Sequence, residues 1–275
     1  MSIITLTTDY GLKDHFVGAL KGKILSQYKQ ATIIDISHDI DPFNTVEASY
    51  CVSAAYSSFP KGSVHLIGVD MERNKENLHV AMLWNDHYFI AADNGILSML
   101  TQKIIPQKIV ALPIHDQLYK YAVDLDVFVT VACHLAQGGA LETIGTPIET
   151  LKEVTELNAV LADDGNSLKG HVVYIDHFGN VVTNISKVYF NQVAQGRSYE
   201  IVMKTKNIKT ILPNYSAIAK NEKYAIKSYE GEKLALFNEA GYLEIAIFRS
   251  NPSKVGSASS LLGLNYRDVI IIKFV

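Results

Sequence analysis

The chain has 275 residues, 48% of them hydrophobic and 19% charged, a composition that supports a packed core and excludes global disorder. A formal charge of -3 with no Lys/Arg cluster leaves no electrostatic footprint for nucleic acid. No run approaches the roughly 20 apolar residues of a membrane span, and no basic-then-apolar leader is visible. A cytoplasmic location with no membrane partner is therefore expected.

The first half of the chain alternates. Strand-like runs are expected at residues 2–7, 32–37, 64–69, 79–84, 88–92 and 108–112, with helices at 17–28, 45–59, 97–100 and 127–137. Asn44-Thr45-Val46-Glu47 reads as a helix start, with a capping side chain and an acid in the first turn. Strand and helix in this rhythm predict a layered α/β domain with a largely parallel sheet. From residue 170 the pattern changes to short β-rich runs, at 171–175, 181–185, 199–204, 223–227, 233–237, 242–247 and 269–274. Such spacing predicts a β-barrel or small sandwich. The expected domains are 1–160 and 168–275, joined where Asp163-Asp164-Gly165-Asn166-Ser167 supplies a polar turn. The two cysteines, Cys51 and Cys133, fit no metal-ligand or CxxC spacing and read as buried structural thiols.

Two polar islands follow apolar strands: Thr7-Thr8-Asp9-Tyr10-Gly11-Leu12-Lys13-Asp14, and Asp176-His177-Phe178-Gly179-Asn180. Polar groups at strand ends are rigidly held yet reachable, which is where ligand contacts concentrate. Neither island contains a phosphate-cradling glycine loop. Asp35-Ile36-Ser37-His38-Asp39-Ile40-Asp41 is an acidic loop whose spacing matches no calcium-binding loop. It reads as a solvated lead-in to the helix at Thr45, with Phe43 available as an apolar wall. Asp70 ends a strand and is followed by the polar run Glu72 to Asn77, a position suited equally to chemistry or to an exposed hairpin tip. Asp93-Asn94-Gly95 is a turn signal. His115, His134, His171 and His177 are scattered, and His134 beside Cys133 reads as a satisfied core residue. No hydrolase or metalloprotease motif emerges.

Taken in order, Thr7-Thr8-Asp9-Tyr10-Gly11, Asp35-Ile36-Ser37-His38, Phe59-Pro60-Lys61-Gly62, Asp93-Asn94-Gly95, Ala132-Cys133-His134-Leu135-Ala136 and Asp176-His177-Phe178-Gly179-Asn180 resemble one family across nearly the whole chain. It is the S-adenosylmethionine hydroxide adenosyltransferase family, related to the fluorinase and chlorinase enzymes. Gly241 to Ala246 and Leu261-Leu262-Gly263 extend the match. The resemblance implies an N-terminal α/β domain, a C-terminal β-barrel and a homotrimer whose adenosyl ligand lies at the subunit interface. No metal and no cofactor beyond S-adenosylmethionine itself is implied. By position, Asp9 and Asp14 would lie near the ribose and the amino-acid tail, with Phe43 as a wall. Phe178 and Asn180 would meet the adenosyl group, Asp176 would take the methionine ammonium, and the segment around Phe248 would border the adenine.

The resemblance also assigns Asp70 to the attacking water. It breaks at two places: the Arg and His expected to help activate that water fall on Asn77 and Val123, with Met71 to Asn77 replacing a glycine-rich turn. Arg73 or Lys75 could substitute from that turn. Loss of general-base help typically costs about 10²–10⁴-fold in rate. The expectation is thus hydrolysis of S-adenosylmethionine to adenosine and L-methionine. The alternative is a non-catalytic adenosine-binding module that senses or sequesters its ligand, and a third reading is adenosyl transfer to another nucleophile.

Overall fold

The computed structural model describes residues 3–275 except 103, 119–121, 155–157, 205 and 220–224, and except the side chains of 116 and 117. It divides after Val154 into two compact units.

In the first unit the strands are β1 (Ile3–Thr8), β2 (Thr32–Ser37), β3 (Val64–Gly68), β4 (His79–Trp84), β5 (His87–Ala92), β6 (Lys108–Ala111) and β7 (Thr146–Pro147). They form one sheet in the order β2-β1-β3-β5-β4-β6-β7. β2, β1, β3 and β5 run parallel, while β4, β6 and β7 complete the sheet antiparallel. The reversal comes from a two-residue hairpin in which Asn85 (φ 49°) and Asp86 (φ 62°) are both left-handed. That backbone twist matches a strand pair, and Asn and Asp tolerate it.

Helices cover both faces because the strands are apolar on both. Ile4, Leu6, Val64 and Leu66 pack on one side against Leu20 and Ile24 of α1 (Phe16–Gln27) and Phe128 and Val131 of α4 (Asp124–Ala136). Ile67, Val80, Met82 and Phe89 pack on the other against Ala48 and Val52 of α2 (Thr45–Ala55) and Ile96 and Leu97 of α3 (Ile96–Thr101). Asn44 caps α2 by accepting the Glu47 N–H at 3.2 Å, as its sequence predicts. Cys133 is buried and Cys51 half-buried; burial pushes the Cys133 thiol up to about 11, which makes it inert. His134 lies half-exposed near the end of α4, 3.0 Å from Ala140 O, and is therefore a helix-end residue with partners and not a core residue. Among the described residues no helix is long and apolar enough to cross a membrane.

The second unit contains β8 (Val160–Leu161), β9 (Ser167–Ile175), β10 (Val181–Ser186), α5 (Lys187–Ala194), β11 (Tyr199–Met203), β12 (Lys206–Ile208), β13 (Ile211–Leu212), β14 (Lys233–Phe237), β15 (Tyr242–Ile247), α6 (Ala258–Leu262) and β16 (Val269–Phe274). Its sheet runs β12-β11-β16-β9-β10-β15-β14-β13, with β8 also on β9, and curls into a barrel-like form. β9 makes the corner: Ser167 to His171 pair with β16, whereas Val172 to Ile175 pair with β10. Gly170 stands at the bend, where a Cβ would come within 2.5 Å of Ile185, so only glycine lets the strands approach.

The α/β-plus-barrel class thus agrees with the expectation, with two local corrections. α5 interrupts the β-rich stretch; Ser186 caps it by accepting the Tyr189 N–H at 3.2 Å, and Phe190, Val193 and Ala194 face the core at helical spacing. The strand expected at 223–227 lies partly outside the described residues, and Ile226–Tyr229 forms a single 3-10 turn.

Candidate functional site

The carboxyl ends of the four parallel strands bring together Asp9 and Tyr10 (β1), His38 and Asp39 (β2), Asp70 (β3), and Asp93 and Asn94 (β5). Ligands of open α/β sheets bind at this edge. Thr8 Oγ1 lies 2.7 Å from His38 Nδ1 and the Gly11 N–H donates to His38 O at 2.7 Å, so the first polar island is clamped onto the loop after β2. Asp35 takes Lys21 Nζ at 2.6 Å, and Glu47 Oε2 accepts the Asp41 N–H at 3.1 Å. The acidic loop therefore leads into α2, as read.

Asp9 has a structural role that its sequence did not disclose. Its Oδ2 accepts the Phe43 N–H at 3.0 Å and lies 3.5 Å from the Asp70 N. Phe43 (φ 63°) and Asp70 (φ 45°) are both left-handed, a conformation costly for a bulky residue and uncommon for any non-glycine. Asn94 holds Asp70 from the other side, its Nδ2 donating to Val69 O at 3.2 Å and Asp70 O at 3.0 Å. The strand-end carboxylate is thus fixed through its own backbone. The Phe43 side chain is 72% exposed. Asp14 is exposed on the same loop as Asp9.

The turn after Asp70 leans on a polar cluster from three separate elements. His79 Nε2 donates to Met71 O at 2.7 Å, and His79 Nδ1 lies 3.0 Å from His115 Nε2. His115 Nδ1 is 3.7 Å from Asp124 Oδ1, while Asp124 Oδ2 accepts the Arg73 N–H at 2.9 Å. His79, His115 and Asp124 are the one group of three such donors among the described residues whose geometry could hold a metal ion. Tyr10 donates to Met71 Sδ at 2.9 Å; burial, aided by Asp9 and then Asp124, pushes its phenol up to about 12, so it stays protonated. Asn77 carries no charge of its own, but its Oδ1 accepts Lys152 Nζ at 2.8 Å and so brings a cation to that place. Val123 is exposed, its N–H bonded to Asp126 at 3.0 Å. Arg73 and Lys75 are exposed on the turn.

In the second unit the other island forms the tight loop between β9 and β10. Asp176 Oδ1 accepts the Asn180 N–H at 2.8 Å and Oδ2 accepts Asn180 Nδ2 at 2.9 Å. Each oxygen has further acceptor capacity beyond these bonds. Asn180 Nδ2 also reaches Tyr215 Oη at 3.1 Å; Tyr215 donates to Glu244, whose other oxygen takes Asn238 Nδ2 at 3.3 Å. Burial raises the Glu244 carboxyl above its ordinary range, and Asp176 adds to that against the Tyr215 and Asn238 hydrogen bonds. Sequence reading missed Tyr215 and the role of Glu244 because the 3-10 turn Tyr215–Ile218 and β15, distant in sequence, bring them beside Asp176 only in the fold. Gly179 (φ 71°) presses on the Ser257 cap of α6, where a Cβ would meet Ser257 Oγ at 2.2 Å, and its carbonyl accepts the Ser259 N–H at 3.0 Å. The Phe178 ring is left 62% exposed. Phe248 is buried among Ile218, Leu234, Leu236 and Ala246, and its N–H and C=O are bonded to Glu232 and Gly231. It therefore offers a ligand only the segment that follows it.

An α/β sheet with acids at its carboxyl edge, followed by a barrel bearing an Asp–Asn loop, defines a class by comparison with known proteins. The chain matches the SAM hydroxide adenosyltransferase N-terminal domain over residues 4–145 and its C-terminal domain over 170–271. This chain belongs to the SAM hydroxide adenosyltransferase family. It is 32% identical to a protein of Methanocaldococcus jannaschii named (R)-S-adenosyl-L-methionine hydrolase, over 99% of this chain and 96% of that one. A Thermus thermophilus protein of the same name is 26% identical, over 96% of each. An uncharacterized conserved protein from Thermotoga maritima has a crystal structure that superposes with a TM-score of 0.80 at 29% identity, covering 98% of this chain and 99% of that one.

Proposed function

We propose that the protein hydrolyses S-adenosylmethionine, transferring the adenosyl group to water to give adenosine and L-methionine. The observation that carries this reading is Asp70, held in a left-handed conformation at a parallel strand end by Asp9 and Asn94 in a chain that is related over its full length to named hydrolases. The sulfonium is already a good leaving group, so the protein need only align a water opposite the sulfur and strip its other solvent. Asp70 is proposed to hold that water. Asp9 and Asp14 would face the ribose and amino-acid tail, and Asp176 the ammonium; positive groups of the substrate favour nearby carboxylates. Phe43 and Phe178 would flank the adenosyl group, with Asn180 and the segment after Phe248 at the adenine.

A second reading is favoured by Asn77 and Val123, which leave no arginine or histidine at the expected positions. It makes the protein an adenosyl-binding module without turnover. Incubating pure protein with S-adenosylmethionine and separating adenosine and methionine by chromatography, with calorimetry alongside, decides between them. Hydrolysis supports the first reading; tight binding with no product supports the second. In either case Asn180→Ala and Asp176→Ala should weaken the adenosyl ligand by about 1–3 kcal/mol, because each removes a partner from a desolvated polar group. Melting curves of the variants separate this from loss of the loop itself, since the two side chains also bond each other.

We further infer a closed homotrimer in which the first-unit group of one subunit meets the second-unit group of its neighbour. Light scattering at micromolar concentration should return three times the chain mass of 30.4 kDa. A monomer would remove this arrangement.

A further inference from the structure

We propose that His79, His115 and Asp124 form a binding site for one divalent transition-metal ion of the zinc type. The donors come from the first residue of β4, the 3-10 turn Ile114–Gln117 and the first residue of α4, and their ligand atoms lie within 4.8 Å of one another. Two features separate them from a chance meeting of polar side chains. The Nε2–H of His79 is committed to Met71 O at 2.7 Å, which fixes the tautomer and turns the Nδ1 lone pair toward His115. Asp124 is held likewise, one oxygen on the Arg73 N–H at 2.9 Å and the other facing His115. Metal-binding imidazoles and carboxylates are oriented by hydrogen bonds of this kind from their non-ligating atoms. The Phe128 ring lies edge-on to His79, with centroids 4.6 Å apart, and keeps that imidazole from rotating.

Two imidazoles and one carboxylate suit a borderline ion with an open fourth position, not magnesium or calcium, which take oxygen donors. Binding would draw the three donors, now within 4.8 Å of one another, to roughly 2.0–2.2 Å from a zinc ion. Asp124 Oδ1 faces His115 Nδ1 at 3.7 Å while His79 Nδ1 faces His115 Nε2 at 3.0 Å, so without an ion the three form an Asp–His–His chain. An ion would require the His115 ring to turn one nitrogen toward both partners. An ion here would tie the turn that follows Asp70 to the start of α4, one residue beyond Val123. The residues lie far apart in the sequence, at positions where no spacing motif could show them.

The test uses the full chain, free of any histidine tag, stripped with a chelator and dialysed. Cobalt(II) is titrated in and followed by its visible ligand-field absorption, with zinc(II) calorimetry in parallel. One equivalent per chain is expected, with affinity lowered about tenfold or more by His115→Gln and by Asp124→Asn. These half-buried positions carry the test because His79 is fully buried and its replacement could unfold the chain. Zinc should also raise the melting temperature of the wild type and not of the variants. The proposal is overturned if no saturable equivalent binds, or if one binds equally well in both variants. The titration contains no S-adenosylmethionine, so its failure and the failure of the hydrolase reading are separate results.

Discussion

Asp70→Asn is expected to lower turnover of S-adenosylmethionine by roughly 10²–10⁴-fold while leaving ligand affinity nearly unchanged. The substitution is chosen for its backbone. Asn occupies the left-handed region at least as readily as Asp, and the contacts that hold position 70 run to its N–H and C=O, so they survive the change. What is lost is the negative charge that would draw a proton from water. Asp70→Ala would confuse the result, because alanine tolerates φ of 45° poorly and would loosen the turn as well. Adenosine release under single-turnover conditions, with calorimetry on the same variant, gives the two numbers separately. Parallel loss of affinity would mean that Asp70 faces the substrate; unchanged turnover would take it out of the chemistry altogether.

The second large effect is on stability in acid. His65 is fully buried in β3, with Nδ1 2.7 Å from Thr5 Oγ1 and Nε2 3.1 Å from His87 Nδ1. Its ring stacks on Phe89 at 4.8 Å and meets the rings of Tyr56 and Phe59 edge-on. Burial, and after it the neighbouring His87, lowers its pKa from 6.5 to about 3. The folded state therefore holds the imidazole neutral where the unfolded chain would take up a proton. This contribution is fully present above pH 6.5 and is lost as the pH falls toward 3. The slope approaches about 1.4 kcal/mol per pH unit, on the order of 5 kcal/mol in all. His87 is shifted in the same direction, also by burial, and adds to the effect. Urea midpoints measured across this range should drop steeply. His65→Gln should be weaker at neutral pH but flatter in acid, since glutamine has no proton to gain; an unchanged slope would locate the acid sensitivity elsewhere.

How much of this could be read beforehand follows from how local each signal is. Strand ends with polar islands were legible because an apolar run followed by Asp, Asn and Gly changes character within a few residues, and Asp9, Asp70 and Asp176 all lie at such places. The Asn44 cap was legible for the same reason. The antiparallel half of the first sheet was not, because β4 and β5 have the composition of any buried strand, and their reversal rests on the backbone of Asn85 and Asp86 alone. α5 carried helical spacing in Phe190, Val193 and Ala194, but its short length hid among strands. The cluster of His79, His115 and Asp124 could not be seen at all: sheet and helix packing, and no sequence interval, bring those three side chains together.

The corner strand β9 carries a consequence for the order in which the second unit can form. One half of β9 is zipped to β10, its immediate successor, and the other to β16, the last strand in the chain order. β11 in turn pairs with β16, and so has no neighbour on that side until β16 is in place. Pairings of such wide sequence separation are slow, because loop closure must be completed before they return any stability. During synthesis the hairpin of β9 and β10 can form early, yet Ser167 to His171 would present an uncovered edge until β16 is available to pair with them. A chaperone that shields exposed strand edges should accordingly be needed between the appearance of β9 and that of β16.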